Sequence, residues 1–396
     1  MSPTRFLRGE GAGLGKTTLC PFPARRYTSP APAITHETPL ILLTNEDIEP
    51  LLSMPECIAA IEAAFRDLGN HDAVDIPRQD AIVPNPRPGA IHDLKTMSGS
   101  WPASGIAAIR LNSDIVTGPI INGAARRVKL HVSEPGGRYN GAVLLFSTDT
   151  GQLLAMANDG IMQRARVAAT SGVAAKYLAR EDAKVLGLLG TGFQAGGQLE
   201  AIASVRRLER VKVYSPTAEN RRRFAEHFGK TLDLDIRAVD SPDEAVDAVD
   251  ILVTATNSVS PTINPAWLKT GMHLSSINRT ELAPAVFEKV GRLVLNAREG
   301  GRSFTARNSP DIGGFNQGDR NSHTGVADVN KVPELKDMVS GKASGRGSRD
   351  EITCFHNYQG LGLQFAAIGS IVVREAVKRK IGLTLDDRYF TQDVHP

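Results

Sequence analysis

The chain has 396 residues, 41% of them hydrophobic and 22% charged, with a net charge of +3. At roughly 100 to 200 residues per domain, this composition implies a globular protein of two or three domains. The basic residues are dispersed rather than gathered with aromatics, which excludes a nucleic-acid-binding reading, and the longest apolar run, 363–373, is about half of what a bilayer span needs. Cys20, Cys57 and Cys354 lie far apart and form neither a disulfide framework nor a metal pattern, so no metal is expected.

Residues 8–19, RGEGAGLGKTTL, look like a phosphate-binding loop, but the first glycine of a P-loop would fall on Glu10, and no strand precedes the run. Residues 1–36 carry Arg5, Arg8, Lys16, Arg25 and Arg26 against one acid, and are rich in Ser, Thr and Pro. That is the composition of a mitochondrial transit peptide, with 25–29 resembling a matrix cleavage site; the alternative is an unstructured extension, for a cytoplasmic protein. Residues 1–36 are therefore set apart from the fold.

Ser53-Met54-Pro55-Glu56 reads as a capping box with proline in the first turn, opening an amphipathic helix that Gly69 closes. Short apolar stretches at 80–83, 105–111, 127–131 and 142–146 predict a mostly antiparallel sheet. After an Ala-rich helix at 164–178, strands at 185–189, 211–214, 251–255, 273–277 and 293–296 alternate with helices at 195–205, 218–228 and 242–248, which predicts a parallel sheet covered on both faces. Residues 298–350 are polar and Gly-rich, with one short helix at 333–339, and read as a lid or a disordered loop. A strand at 351–355 and a helix at 360–379 are expected to return to the first domain. The fold class is α/β: a Rossmann-type doubly wound parallel sheet inserted in a second α+β substrate and dimerisation domain. The expected limits are 37–165 plus 351–396 for the substrate domain and 166–350 for the dinucleotide domain.

The segment VLGLLGTGFQAGGQ, 185–198, places Gly190, Gly192 and Ala195 directly after a buried strand and at the start of a helix. The first glycine permits a tight turn, the second lets the backbone approach a pyrophosphate, and the small third residue allows close helix packing. Thr191, Phe193 and Gln194 complete the loop, whose N–H groups at the helix start would hold phosphates. No acid follows the second strand; Ser215 and Thr217 stand there, with Arg221, Arg222 and Arg223 beyond. A ribose 2′-phosphate fits such a site better than a bare ribose, so NADP is favoured over NAD. Thr254, Ala255 and Thr256, extending to Asn257, are expected beside the nicotinamide ribose.

From about residue 40 onward the chain resembles the ornithine cyclodeaminase/mu-crystallin family. The resemblance is carried by Ile76-Pro77-Arg78, Thr150-Gly151-Gln152-Leu153, Arg166-Val167-Ala168-Ala169-Thr170-Ser171 leading to Ala175-Lys176-Tyr177-Leu178-Ala179, the Gly190 loop, and 341–346 into Glu351-Ile352-Thr353. It implies a homodimer of two-domain subunits and hydride chemistry at the α-carbon of a small amino or imino acid. It also implies that Arg78, Arg166 and the position of Arg110, a lysine in the family, hold the substrate carboxylate, for which a guanidinium fork is suited.

Two departures bear on the reaction. Arg110 keeps the charge of the family's lysine but has no readily released proton. In the segment after the fifth Rossmann strand, where cyclodeaminases carry an aspartate, this chain has Asn278, and an amide is no base; Glu281 is the nearest substitute, although the family's glutamate there reads as structural. The reading is thus an NAD(P)H-dependent imine or ketimine reductase, or the amino-acid dehydrogenase in reverse, with Arg110, Asn278 and Glu281 as catalytic candidates. Lys129, His131, Glu281 and His356 are the candidate proton donors. The alternatives are an ornithine cyclodeaminase releasing proline and ammonia, and a non-enzymatic NADPH-binding protein of mu-crystallin type.

Overall fold

The structure is a computed structural model that describes residues 38–121, 124–125, 128–132, 139–258, 260–312, 326 and 328–394. The N-terminal basic segment, and with it the transit-peptide expectation, lies outside the described residues. Two large sheets carry the fold. The first runs, neighbour to neighbour, through Arg302–Thr305, Val74–Pro84, Ala90–Trp101, Ile106–Thr117, Asn140–Ser147, Leu153–Asn158, Leu40–Leu43 and Leu383–Leu385, with Val128–Leu130 beside Ile106–Thr117. It is mostly antiparallel; the parallel pairs join Leu40–Leu43 to Leu153–Asn158 and Arg302–Thr305 to Val74–Pro84. Buried residues alternate along Ala90–Trp101 and Ile106–Thr117, because one face is covered by the helix Gly362–Arg379, on which Met54–Asn70 packs in turn. Phe65, Met97, Trp101, Leu145 and Phe365 form the core between them.

The second sheet has seven strands, all parallel, in the order Asp235–Ala238, Arg210–Tyr214, Val185–Leu189, Ile251–Thr254, His273–Ser276, Thr353–His356, Arg292–Leu295. Its two faces bury separate clusters, one with Leu199, Phe224 and Phe228 and one with Val246, Leu268 and Val286. The strand order reverses between Val185–Leu189 and Ile251–Thr254, and a doubly wound sheet opens its ligand crevice at that point, at the carboxyl ends of the strands. The helix Asp159–Leu178 joins the two units. It packs on Phe193–Val205 because Gly196 and Gly197 leave room for Arg164, whose side-chain atoms would lie only 3.0–3.2 Å from a Cβ at either position.

Several expectations are corrected. Thr353–His356 does not return to the first domain but inserts between two Rossmann strands. Part of the 298–350 stretch, Arg302–Thr305, crosses the other way and extends the first sheet, so the chain passes between the units more often than the expected limits allow. Ser53 makes no side-chain cap, and the first helix ends on His71 in the left-handed conformation, not on Gly69. Gly69 is small for another reason, since a Cβ there would lie 2.5 Å from the Lys336 carbonyl oxygen. The strand Ala90–Trp101 had no counterpart among the expected elements.

Candidate active site

At the end of Val185–Leu189, Gly190 takes φ +113°, and a Cβ there would stand 2.3 Å from the carbonyl oxygen of Ala255, so the turn tolerates only glycine. Gly192, the N-cap of Phe193–Val205, makes no side-chain cap, and a Cβ on it would meet nothing within 4 Å. The fold does not require this glycine; a ligand lying over the helix start would. Gln194 also has a buried Oε1 without a hydrogen-bond partner, and Ala195 is fully buried against the sheet. Open approach and uncapped N–H groups together fit a pyrophosphate.

Beside the loop, the Thr191 hydroxyl donates to Ser215 Oγ at 3.1 Å, and Ser215 Oγ to the Thr217 carbonyl at 3.3 Å. Arg221, expected at the 2′-phosphate, is buried, donating to the Ser215 carbonyl and to Asp240 with its guanidinium 5.8 Å from the Tyr214 ring centroid. It braces the strand end, which leaves only Arg222 and Arg223 exposed on that helix face.

Glu281 is fully buried, and its carboxylate ties two strand ends together. Oε1 accepts from the Thr254 hydroxyl (2.9 Å) and from the Thr256 N–H (2.6 Å) and hydroxyl (2.7 Å); Oε2 accepts from the Ser276 hydroxyl (3.0 Å) and the Asn278 N–H (3.2 Å). With five donors engaged it is a structural staple, and the expectation of a catalytic Glu281 is corrected. Asn278 likewise donates to the Ser258 carbonyl (3.0 Å), while its Oδ1 accepts from Thr280. It positions the crevice wall and supplies no base. Of the proposed donors, exposed His131 stacks edge-on with Tyr139, and buried His356 packs between Phe287 and Tyr358.

The wall continues to the arginines. Asn357 N–H donates to the Ser276 carbonyl at 2.7 Å, its side-chain amide reaches Val167 O and Ser171 Oγ, and a Cβ on Gly360 would lie 3.0 Å from the Arg166 guanidinium. Arg166 is fixed by Gln163, through Nε and Nη2, and by Gln364 through Nη1 at 2.6 Å. Arg110 donates to Asp159 Oδ2 through Nε (2.8 Å) and Nη2 (2.6 Å), and both guanidinium groups flank the buried Phe365 ring, at 5.7 Å for Arg110 and 5.2 Å for Arg166. Arg78 is forked onto Asp80 at 2.6 and 2.8 Å. Burial, and then the like charges of Arg110 and Arg78, push Arg166 down to about 9, with Asp159 and Asp75 opposing. Three cations are thus held close enough to repel one another, next to the crevice.

Sequence reasoning missed the groups next to them. Asp93, Lys95 and Met97 lie in phase on the buried face of Ala90–Trp101; Met97 pairs with Arg110, Lys95 with Asn112 and Asp80, and Asp93 with Asp114. Lys95 Nζ is 3.0 Å from Asp93 Oδ2, donates to Asn112 Oδ1 at 3.4 Å and is bound by Asp114, which also accepts Lys129 at 2.7 Å. Beyond them Ile82, Ile91, Val116 and Ile312 form a small buried apolar cluster. Inward charges break the apolar alternation that would have revealed this strand.

The profile of the ornithine cyclodeaminase/mu-crystallin family matches residues 126–380. A Δ1-pyrroline-2-carboxylate reductase of Bacillus cereus is 31% identical over 248 residues, 61% of this chain and 73% of that protein. The same enzyme from Thermococcus litoralis, solved with NADH and L-proline, superposes with a TM-score of 0.70 at 28% identity over 87% of this chain and all of that one. An archaeal alanine dehydrogenase dimer with bound NAD also gives 0.70, at 26% identity over 88% of this chain and 99% of that one. With this match over most of its length, the chain belongs to the ornithine cyclodeaminase/mu-crystallin family.

Proposed function

We propose that the protein is an NAD(P)H-dependent reductase of a small α-imino or cyclic ketimine acid, with oxidation of the amino acid as its reverse reaction. The observation that carries this reading is the convergence of Arg78, Arg110 and Arg166 beside the crevice at the carboxyl ends of the parallel strands. A bound reduced nicotinamide supplies the hydride for the α-carbon. The chain's own contribution is orientation: the arginines fix the carboxylate and thereby the face of the C=N bond presented to the cofactor, while Gly190, Gly192, Thr254 and Thr256 shape the bed in which it lies. Cyclodeamination needs a carboxylate in the 275–281 segment for the substrate's second amine; Asn278 and the saturated Glu281 do not provide one.

Ser215, Pro216 and Thr217 put no acid against a 2′-phosphate, and Arg222 and Arg223 stand exposed nearby, which supports NADPH over NADH. Arg221 takes no part in that preference. The outer face of the first sheet exposes Leu42, Val83 and Leu94 at about 40% each, with half-buried Ile109, Leu111 and Phe146 between them, and a second copy of the chain would cover it. The test is fluorescence titration with NADPH and NADH, followed by a panel of five- and six-membered cyclic ketimine acids and of 2-keto acids with ammonia. Cofactor oxidation by a panel member supports the reading, and tight NADPH binding without turnover across the panel overturns it.

A further inference from the structure

Position 110 leaves a chemical gap. Its arginine is committed to Asp159 and does not surrender a proton at ordinary pH, yet reduction of a neutral imine needs an acid at the nitrogen. We propose that Lys95, one strand away on the same sheet face, is the proton donor to the imine nitrogen, and that Asp114 and Lys129 connect it to solvent. This rests on the reductase reading above.

The geometry is specific. Lys95 pairs across the sheet with Asn112, two residues from Arg110 on the same face, and on its other side with Asp80, the partner of Arg78. Diagonal neighbours on a sheet face stand about 7 Å apart, within reach of long side chains. Arg78 acts electrostatically on both Lys95 and Arg166, so the ammonium and the carboxylate site share one charged neighbourhood. Lys95 is 3% exposed, on the sheet face between the arginines and the buried Ile82, Ile91, Val116 and Ile312 cluster. Asp93 is fully buried, and neither carboxylate oxygen has a hydrogen-bond partner among the described residues although Lys95 Nζ stands 3.0 Å away. Asp93 and Lys95 thus form a buried ion pair whose carboxylate oxygens keep hydrogen-bonding capacity.

Besides Asp80, its cross-strand neighbour already forked by Arg78, four charged groups act on Lys95. Burial lowers its pKa, Asp93 and Asp114 raise it, Lys129 and Arg78 lower it, and the balance is about 8, near the working pH of a general acid. In the step itself one Nζ–H bond breaks and one N–H bond forms at the imine, leaving a neutral amine on Lys95 and an iminium on the substrate. A reduced nicotinamide held at the Gly190 loop would supply the hydride that completes the amine. Lys129, 39% exposed and sharing Asp114 Oδ2 with Lys95, returns the proton from water.

The experiment compares Lys95→Met and Lys95→Arg with the wild type on two substrates: a cyclic ketimine acid and its N-methyl iminium analogue, which carries its positive charge permanently and needs no proton. The proposal expects wild-type kcat/KM for the ketimine to fall as pH rises through about 8, while the N-methyl substrate shows no such limb. Lys95→Met should lose about 100-fold or more on the ketimine and keep near-wild-type turnover of the N-methyl analogue, with unchanged NADPH affinity. Lys95→Arg should lose the ketimine rate and the limb near pH 8 together. Equal loss on both substrates would make Lys95 a structural or carboxylate-binding residue, and full activity of Lys95→Met on the ketimine would remove it from the chemistry; either overturns the proposal. A wild-type protein that reduces neither substrate would instead refute the reductase reading beneath it.

Discussion

Replacing Arg166 with methionine should separate binding from folding. The guanidinium is fully buried, pushed down to about 9 by burial and by Arg110 and Arg78, so its charge is held at a cost on the order of several kcal/mol. Methionine keeps the stem over Phe365 and removes that cost, but it leaves the Gln163 and Gln364 oxygens without their donor, a penalty of about 1–3 kcal/mol for each. The opposing terms nearly cancel, so the melting temperature should move by no more than roughly 5 °C. Substrate binding has no such compensation. Truncating one side of a buried charge-assisted pair costs about 2–5 kcal/mol, or about 30- to 4,000-fold in kcat/KM. Steady-state kinetics on the ketimine acid, with scanning calorimetry and NADPH titration on the same preparation, reads all three quantities. A collapse in stability with kcat/KM retained would make Arg166 a structural residue and refute the carboxylate assignment.

The two loop glycines should behave oppositely. Gly192→Val should leave thermal stability unchanged and abolish NADPH binding, because nothing in the fold occupies the space that its side chain would fill; retained affinity would show that the pyrophosphate lies elsewhere. Gly190→Ala should destabilise the protein through its positive φ and the clash with Ala255, measured as a lower urea midpoint. Glu281→Ala removes the shared acceptor of five donors, two of them on buried residues, and should destabilise the protein by about 2–3 kcal/mol, whereas a purely catalytic glutamate would leave the urea midpoint unmoved. His273 is buried beside Thr353 and pushed down to about 3 by burial, followed by Arg346 and Arg206. It therefore stays neutral in the fold while the unfolded chain takes up a proton below about pH 6.5, so stability is lost as pH falls. From pH 6.5 to 5 the loss is about 2 kcal/mol, and it should be absent in His273→Asn.

The parts of the site that depend on local chain chemistry were legible in the sequence. The Gly190 loop is strand, turn and helix within fourteen residues, and each glycine has a reason that a short segment can express. Arg78, Arg110 and Arg166 were legible only through the family resemblance, because their convergence joins a bulged edge of one strand, the middle of another and a helix. What stayed hidden is what tertiary contact decides. Ala90–Trp101 places Asp93 and Lys95 at inward positions, where they pair with Asp114 across the sheet, so its pattern does not read as a half-buried strand. Thr353–His356 is apolar enough for either sheet, and only pairing with His273–Ser276 and Arg292–Leu295 assigns it. Arg221 looked like a phosphate ligand because the sequence does not show that Asp240 comes within reach of its guanidinium.

The central claim is hydride delivery to the α-carbon of an imino acid. Incubating the protein with a cyclic ketimine acid and NADPH carrying deuterium at the transferable C4 position, then weighing the product by mass spectrometry, tests it most directly. The expected product is an amino acid with one deuterium on its α-carbon, formed in equal amount to the NADP+ produced. An unlabelled product, or no product from a folded protein saturated with NADPH, would contradict it.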